Sequence, residues 1–171
     1  LYIMFAKSME NALFNVMNIK QRKKAEKALI ESESRYRSIF EHTGTATMII
    51  EEDKTISLAN SGFEILSGYT KEEVENQMKW TEFVEGKDLE KMKRYHSMRR
   101  RNPEHTPLNY EFSLIDRNKN KKNVFVTVTS IIGSNKSLAS LIDITARKKA
   151  ENNLKKSLNE KEMLLKEIHH R

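Results

Sequence analysis

Hydrophobic and polar positions follow one rhythm in the middle of the chain and another at its two ends. Thr- and Ile-rich segments at 45–50 and 55–60 flank the polar run 51–54, which predicts two strands joined as a hairpin. Alternation returns after residue 107. Leu108, Tyr110, Phe112 and Leu114 alternate with polar residues, DRNKNKK makes a turn, and Val124, Val126 and Val128 alternate with Phe125, Thr127 and Thr129. A last strand runs over 138–142. Between the two blocks the spacing is helical. Phe63 and Leu66 sit three apart before Gly68, and Thr70 with Glu73 is a capping box that opens a helix over 71–77. Asp88 caps a longer helix to about residue 100, with Leu89, Met92 and His96 inward, until Pro103 and Pro107 end it. Two strands, a helical insert and three strands predict an α+β domain, a five-stranded antiparallel sheet with helices on one face.

All five Gly and both Pro lie between positions 44 and 133, so the flanks read as long helices. In the last stretch, 143–171, Leu154, Leu158, Leu165 and Ile168 form a seam of period 3.5 with Lys161 in the middle slot, the pattern of a coiled coil between two helices. Asp143 and Thr145 are candidate N-caps of that helix, and Arg147 lies four residues after Asp143, at ion-pair spacing. The segment 19–29, IKQRKKAEKAL, recurs at 144–154 as ITARKKAENNL, with seven of eleven positions identical. Such a repeat points to modules in series joined by one kind of helical connector. The expected organisation is a connector helix over 1–30, a globular domain over 31–143, and a coiled-coil linker over 144–171.

Composition narrows the function. The chain is 171 residues long with 32% charged residues and a net charge of +7. Its basic clusters, at 20–27, 91–101, 117–122 and 147–149, are dispersed and diluted by Glu, with only Tyr95 interleaved. They read as solvated surface, and nucleic acid is not the expected partner, although a basic regulator stays open as an alternative. There is no Cys, which removes disulfides, thiolate metal sites, cysteine nucleophiles and a flavin–cysteinyl adduct. No apolar run approaches the ~20 residues of a membrane span. The chain starts at Leu1 and stops at Arg171 in mid-helix, and we expect it to be an excerpt of something longer, with a cytoplasmic location.

The run ISLANSGFEILSGYTKEEV at 56–74 resembles the signature of PAS domains, as do the entry ESRYRSIFEHT at 33–43 and the exit DITARKKAE at 143–151. The resemblance implies a sensory and relay fold whose usual site is a small-molecule pocket between sheet and helices, lined here by Met48, Ile50, Asn60, Phe63, Tyr110 and Phe112. A filled core that serves only as a dimerisation scaffold is the alternative. His96 sits where haem-binding relatives place an axial ligand, but a lone His on a helix face reads as packing, so neither haem nor flavin is expected.

The last residues, LLKEIHHR, resemble the start of the dimerisation helix of histidine kinases whose acceptor block reads His-Arg-x-Lys-Asn. That match makes His170 the phospho-acceptor. Two residues beyond Ile168 turn ~200°, which puts His170 opposite the seam. Together the two resemblances imply a sensor histidine kinase of a two-component system. The partners would be a second copy of the chain, an ATP-binding kinase domain in the same parent chain and a response regulator. No phosphate loop or metal motif is present in these residues, and whether the chain itself counts as an enzyme stays open.

Overall fold

The computed structural model describes residues 2–169. Helix α1 (Tyr2–Glu41) forms one unit, and the chain from His42 onward forms another. The second unit contains β1 (Ala46–Ile50), β2 (Ile56–Ala59), α2 (Ser61–Ser67), α3 (Lys71–Val74), a 3₁₀ turn (Trp80–Phe83), α4 (Gly86–Arg101), β3 (Asn109–Ile115), β4 (Lys121–Ser130), β5 (Ser137–Asp143) and α5 (Thr145–His169). Within α1, the apolar residues Met9, Leu13, Val16 and Leu29 are exposed.

The five strands pair antiparallel in the order β2-β1-β5-β4-β3. The last strand in sequence therefore sits at the centre. Period-two alternation sends Met48, Ile50, Phe112, Leu114, Val124, Val126, Val128, Ala139 and Leu141 to one buried face. Phe63, Leu66, Val74, Trp80, Phe83 and Met92 from the helical insert cover that face and complete the core. Turn chemistry sets the register. In the first hairpin the Asp53 carboxylate accepts from the Thr55 amide (3.0 Å) and hydroxyl (2.9 Å). In the β3–β4 turn Asp116 Oδ1 accepts from the amides of Asn118 and Asn120, both at 2.9 Å.

The insert is fastened to the sheet by Asn60, whose residue is 0% exposed. Its Oδ1 accepts from the amides of Phe63 (3.0 Å) and Thr47 (2.8 Å), and its Nδ2 donates to the Thr45 carbonyl at 2.9 Å. One side chain thus caps α2 and holds it against β1. The approach is so close that a Cβ at Gly62 would lie 2.7 Å from the Thr45 oxygen. Helix α2 ends on Gly68 at φ +78°, whose amide donates to Glu64 O.

Two expectations change. The capping box forms as read, Thr70 Oγ1 with the Glu73 amide and Glu73 with the Thr70 amide, but α3 stops at Val74 and does not run to 77. The edge strand β2 takes over: Ile56 O accepts from the Asn76 amide (2.8 Å) and the Ile56 amide donates to Met78 O (3.0 Å). These bonds cover an edge that would otherwise be open. Asp88 does not cap α4, which starts two residues earlier at Gly86. Its carboxylate accepts instead from the Ser113 amide (3.0 Å) and pairs with Lys91 (2.7 Å), stitching α4 to β3.

Replacing Asn60 by Ala removes the cap and leaves the buried Thr47 amide and Thr45 carbonyl without this partner. Urea unfolding of Asn60→Ala should show a loss of about 2–4 kcal/mol. A loss under about 1 kcal/mol would mean that Asn60 contributes no more than an ordinary cap.

Candidate functional site

Between the buried face of the sheet and α4 lies a small, partly open cavity of ≈ 30 Å³. Met48 and Ile50 of β1, Tyr110, Phe112 and Leu114 of β3, Val126 and Val128 of β4, and Ser137, Ala139 and Leu141 of β5 form its floor. Phe63, Trp80, Phe83, Met92, His96 and Arg99 close it from the helical side. Helical spacing explains the α4 contribution, because Met92, His96 and Arg99 fall four and three apart on one face.

The polar members of this lining are unusual for a core. His96 is buried, and its Nε2 lies 3.0 Å from the Glu52 carbonyl, so Nε2 carries the proton and donates. Burial pushes its pKa below the usual 6.5, and the cations Arg100, Lys54 and Arg99 push the same way. Arg99 is also buried, and it donates to Pro107 O at 2.6 Å. The Tyr110 pKa is raised, chiefly by burial. Trp80 packs its ring 5.8 Å from that of His96. The buried Nε atoms of Arg99 and Arg100 and the indole Nε1 of Trp80 have no hydrogen-bond partner among the described residues.

A second constellation lies where β5 becomes α5. Asp143 Oδ1 accepts from the Thr145 amide (2.8 Å), and Thr145 Oγ1 accepts from the Asn123 amide of β4 (2.9 Å). The Ile144 amide returns a bond to Asn123 O at 2.8 Å, and Ile144 is buried. One turn on, Arg147 and Lys148 both pair with Glu111 of β3, the first at 3.6 Å, and Arg147 also pairs with Glu151 at 3.5 Å. Glu111 lies between Tyr110 and Phe112, which face the cavity.

Residues 34–144 match the PAS fold. The chain belongs to the PAS family. Among solved structures, the PAS domain of an HTR-like protein from Haloarcula marismortui is 24% identical with a TM-score of 0.55, covering 71% of this chain and 99% of that one. A domain of a sensory box sensor histidine kinase/response regulator from Geobacter sulfurreducens is 21% identical with a TM-score of 0.53, covering 67% and 96%. The PAS domain of a protein from Colwellia psychrerythraea is 19% identical with a TM-score of 0.59, covering 66% and 97%. At these identities the likeness is one of fold. No curated protein sequence matches.

In this PAS domain Met48, Ile50, Phe63, Tyr110 and Phe112 come together around the cavity, and Asn60 does not. An amide that caps a helix and spans to β1 has no atoms left for a ligand, and an Asn directly before a helical run is the local sign of that role. Asp143 bonds the first amide of α5, but Thr145 does not cap it: its hydroxyl is taken by the Asn123 amide of β4, and Arg147 turns to Glu111 and Glu151. His170 lies outside the described residues. Arg99, read with its neighbours as solvated surface, is buried instead. Its place on the Met92–His96 face was the available signal. Among the described residues no cluster could hold a metal ion, and no helix is long and apolar enough to cross a membrane.

Stability should carry the mark of His96. Its folded pKa is depressed, so the domain's stability is fully present above pH 6.5 and is lost as pH falls through the lower folded value. Glu51, Asp53 and Glu73 are held below their usual 4.5, 3.8 and 4.5 by bonds to Lys136, Thr55 and Thr70, so their contribution is lost at lower pH. The melting temperature should therefore fall from pH ~7 to ~5 in the native chain, and His96→Gln should flatten that slope. An unchanged slope in His96→Gln would assign it elsewhere.

Proposed function

We propose that the chain is the PAS sensory and relay module of a two-component sensor histidine kinase, passing a change in its core cavity through α5 to the phospho-acceptor His170. The supporting observation is that β3, β4 and β5 each serve both places. Their alternate residues line the cavity, and Glu111, Asn123 and Asp143 on the same strands hold the start of α5. A displaced cavity side chain moves the strand that carries its neighbour. The exposed ion pairs of Glu111 are each worth no more than about 1 kcal/mol, so the entry of α5 can exchange partners at low cost.

Helix α5 supplies the next step. Leu154, Leu158, Leu165 and Ile168 are 64%, 52%, 56% and 69% exposed and form an apolar row along α5. A second copy covers it in parallel, giving a homodimer. Lys161 in the row weakens the seam and keeps two registers close in energy. The ATP-binding domain and the response regulator then act on His170 outside this module. The tightness of the cavity supports a second reading, a ligand-free PAS scaffold, and a small molecule that copurifies with the chain would decide against it.

Light scattering at micromolar concentration should return twice the chain mass of 20.0 kDa. A monomer that persists at high concentration would sink the dimer.

In the parent kinase, His170→Ala should abolish acid-labile phosphate. Asp143→Ala removes one exposed cap, typically worth ~1 kcal/mol. It should keep basal phosphorylation and lose the response to the stimulus. Full labelling of His170→Ala, or a normal response in Asp143→Ala, would overturn the relay.

A further inference from the structure

Every buried donor in the cavity needs an acceptor, and the protein supplies too few. Native proteins pair roughly nine-tenths or more of their buried polar groups. Here Trp80 and Arg99, each 4% exposed, hold Nε1–H and Nε–H without any partner, and both side chains line the same cavity. Arg99 is also a buried cation, because a guanidinium keeps its proton at any ordinary pH. Its hydrogen-bond partner is the Pro107 carbonyl, and no carboxylate among the described residues forms an ion pair with it. A buried charge without a counter-charge is costly, and proteins normally pair it. The cavity therefore lacks a negative charge, and its hydroxyls, on Tyr110 and Ser137, leave the two N–H groups unmet.

We infer that the cavity takes a short-chain monocarboxylate of acetate or propionate size, whose carboxylate accepts from Arg99 and Trp80. This rests on the cavity being the sensing site and adds the class of molecule it senses. Three observations set the class. A carboxylate brings two acceptor oxygens and one charge, matching two orphan donors and one cation. His96, the other basic side chain of the lining, already donates to Glu52 O and stays neutral near pH 7 because burial lowers its pKa, so a dianion would leave one charge unpaired. The remaining wall is apolar, with Met48, Phe112, Leu114, Val126 and Leu141, which favours an alkyl end over a hydrated inorganic anion. The volume keeps the ligand small, since ≈ 30 Å³ leaves room for only a few heavy atoms.

Trp80 is the only Trp, so its indole N–H gives one assigned signal in a ¹H–¹⁵N spectrum of the 171-residue chain. Titration with sodium propionate should move that signal along a saturable curve. Propionamide, which keeps the shape and loses the charge, should not, and sodium chloride at matched ionic strength should not. Disodium succinate should bind at least tenfold more weakly than propionate. Trp80→Phe keeps an aromatic ring and removes the donor, and calorimetry should show its propionate affinity reduced roughly tenfold or more. Arg99→Lys should lose as much or more, and if it does not fold, Trp80→Phe alone carries the test. A shift that never saturates, propionamide binding as tightly as propionate, or full affinity in Trp80→Phe would overturn the assignment. Propionate binding that leaves phosphorylation of the parent kinase unchanged would overturn the relay and leave this site standing.

Discussion

The domain depends on how its helical insert leaves the sheet, and the amide of Asn60 sets that departure. It satisfies two buried backbone N–H groups, of Thr47 and Phe63, and donates to the part-buried Thr45 carbonyl. Each such group would cost about 1–3 kcal/mol if left bare. Because Gly62 carries no Cβ, α2 can lie directly on the Thr45 backbone. With that contact made, α2, the 3₁₀ turn and α4 lie over one face of the sheet, and a small cavity forms between them.

The sheet then acts as a two-sided element. Side chains on a strand alternate, so residues next to each other report to different surroundings. Tyr110 and Phe112 face the cavity while Glu111 reaches Lys148 on α5. The strand order gives this alternation its reach. β5 comes last in sequence yet pairs with both β1 and β4, so the strand that leads into α5 touches both halves of the sheet. The hold on α5 is graded. Bonds among Asn123, Ile144 and Thr145 anchor its first residues, while the exposed ion pairs one turn on are weak and exchangeable.

Helix α4 carries the opposite tension. Its inward face places His96 and Arg99 beside apolar side chains, where desolvation disfavours charge on both. A purely apolar face would be cheaper to bury. Retaining a cation and an imidazole there costs stability unless a partner compensates, and the carbonyls of Pro107 and Glu52 compensate only in part. The cavity is thus a place where the domain's stability and its occupancy are linked: an acceptor that binds the folded state stabilises it by mass action.

The sequence by itself determined the elements and their faces. Period-two alternation in 108–142, helical spacing in the flanks and the turn residues Asp53, Asp116 and Gly68 depend on neighbours a few positions apart, and local geometry reads them directly. Once the PAS resemblance points to the cavity, Met48, Ile50, Tyr110 and Phe112 follow as inward strand positions whatever the strand order, and Phe63 as an inward helix position. The tertiary structure decided the pairings. Asn60 had the look of a lining residue until β1 supplied its partners. Arg147 stood at the right spacing for Asp143, but β3 brings Glu111 within reach, 36 residues away in sequence. Arg99 lay hidden in a basic run until α4 was turned on the sheet. Such choices depend on strand order and helix rotation, which are set by the whole core at once and by no local pattern.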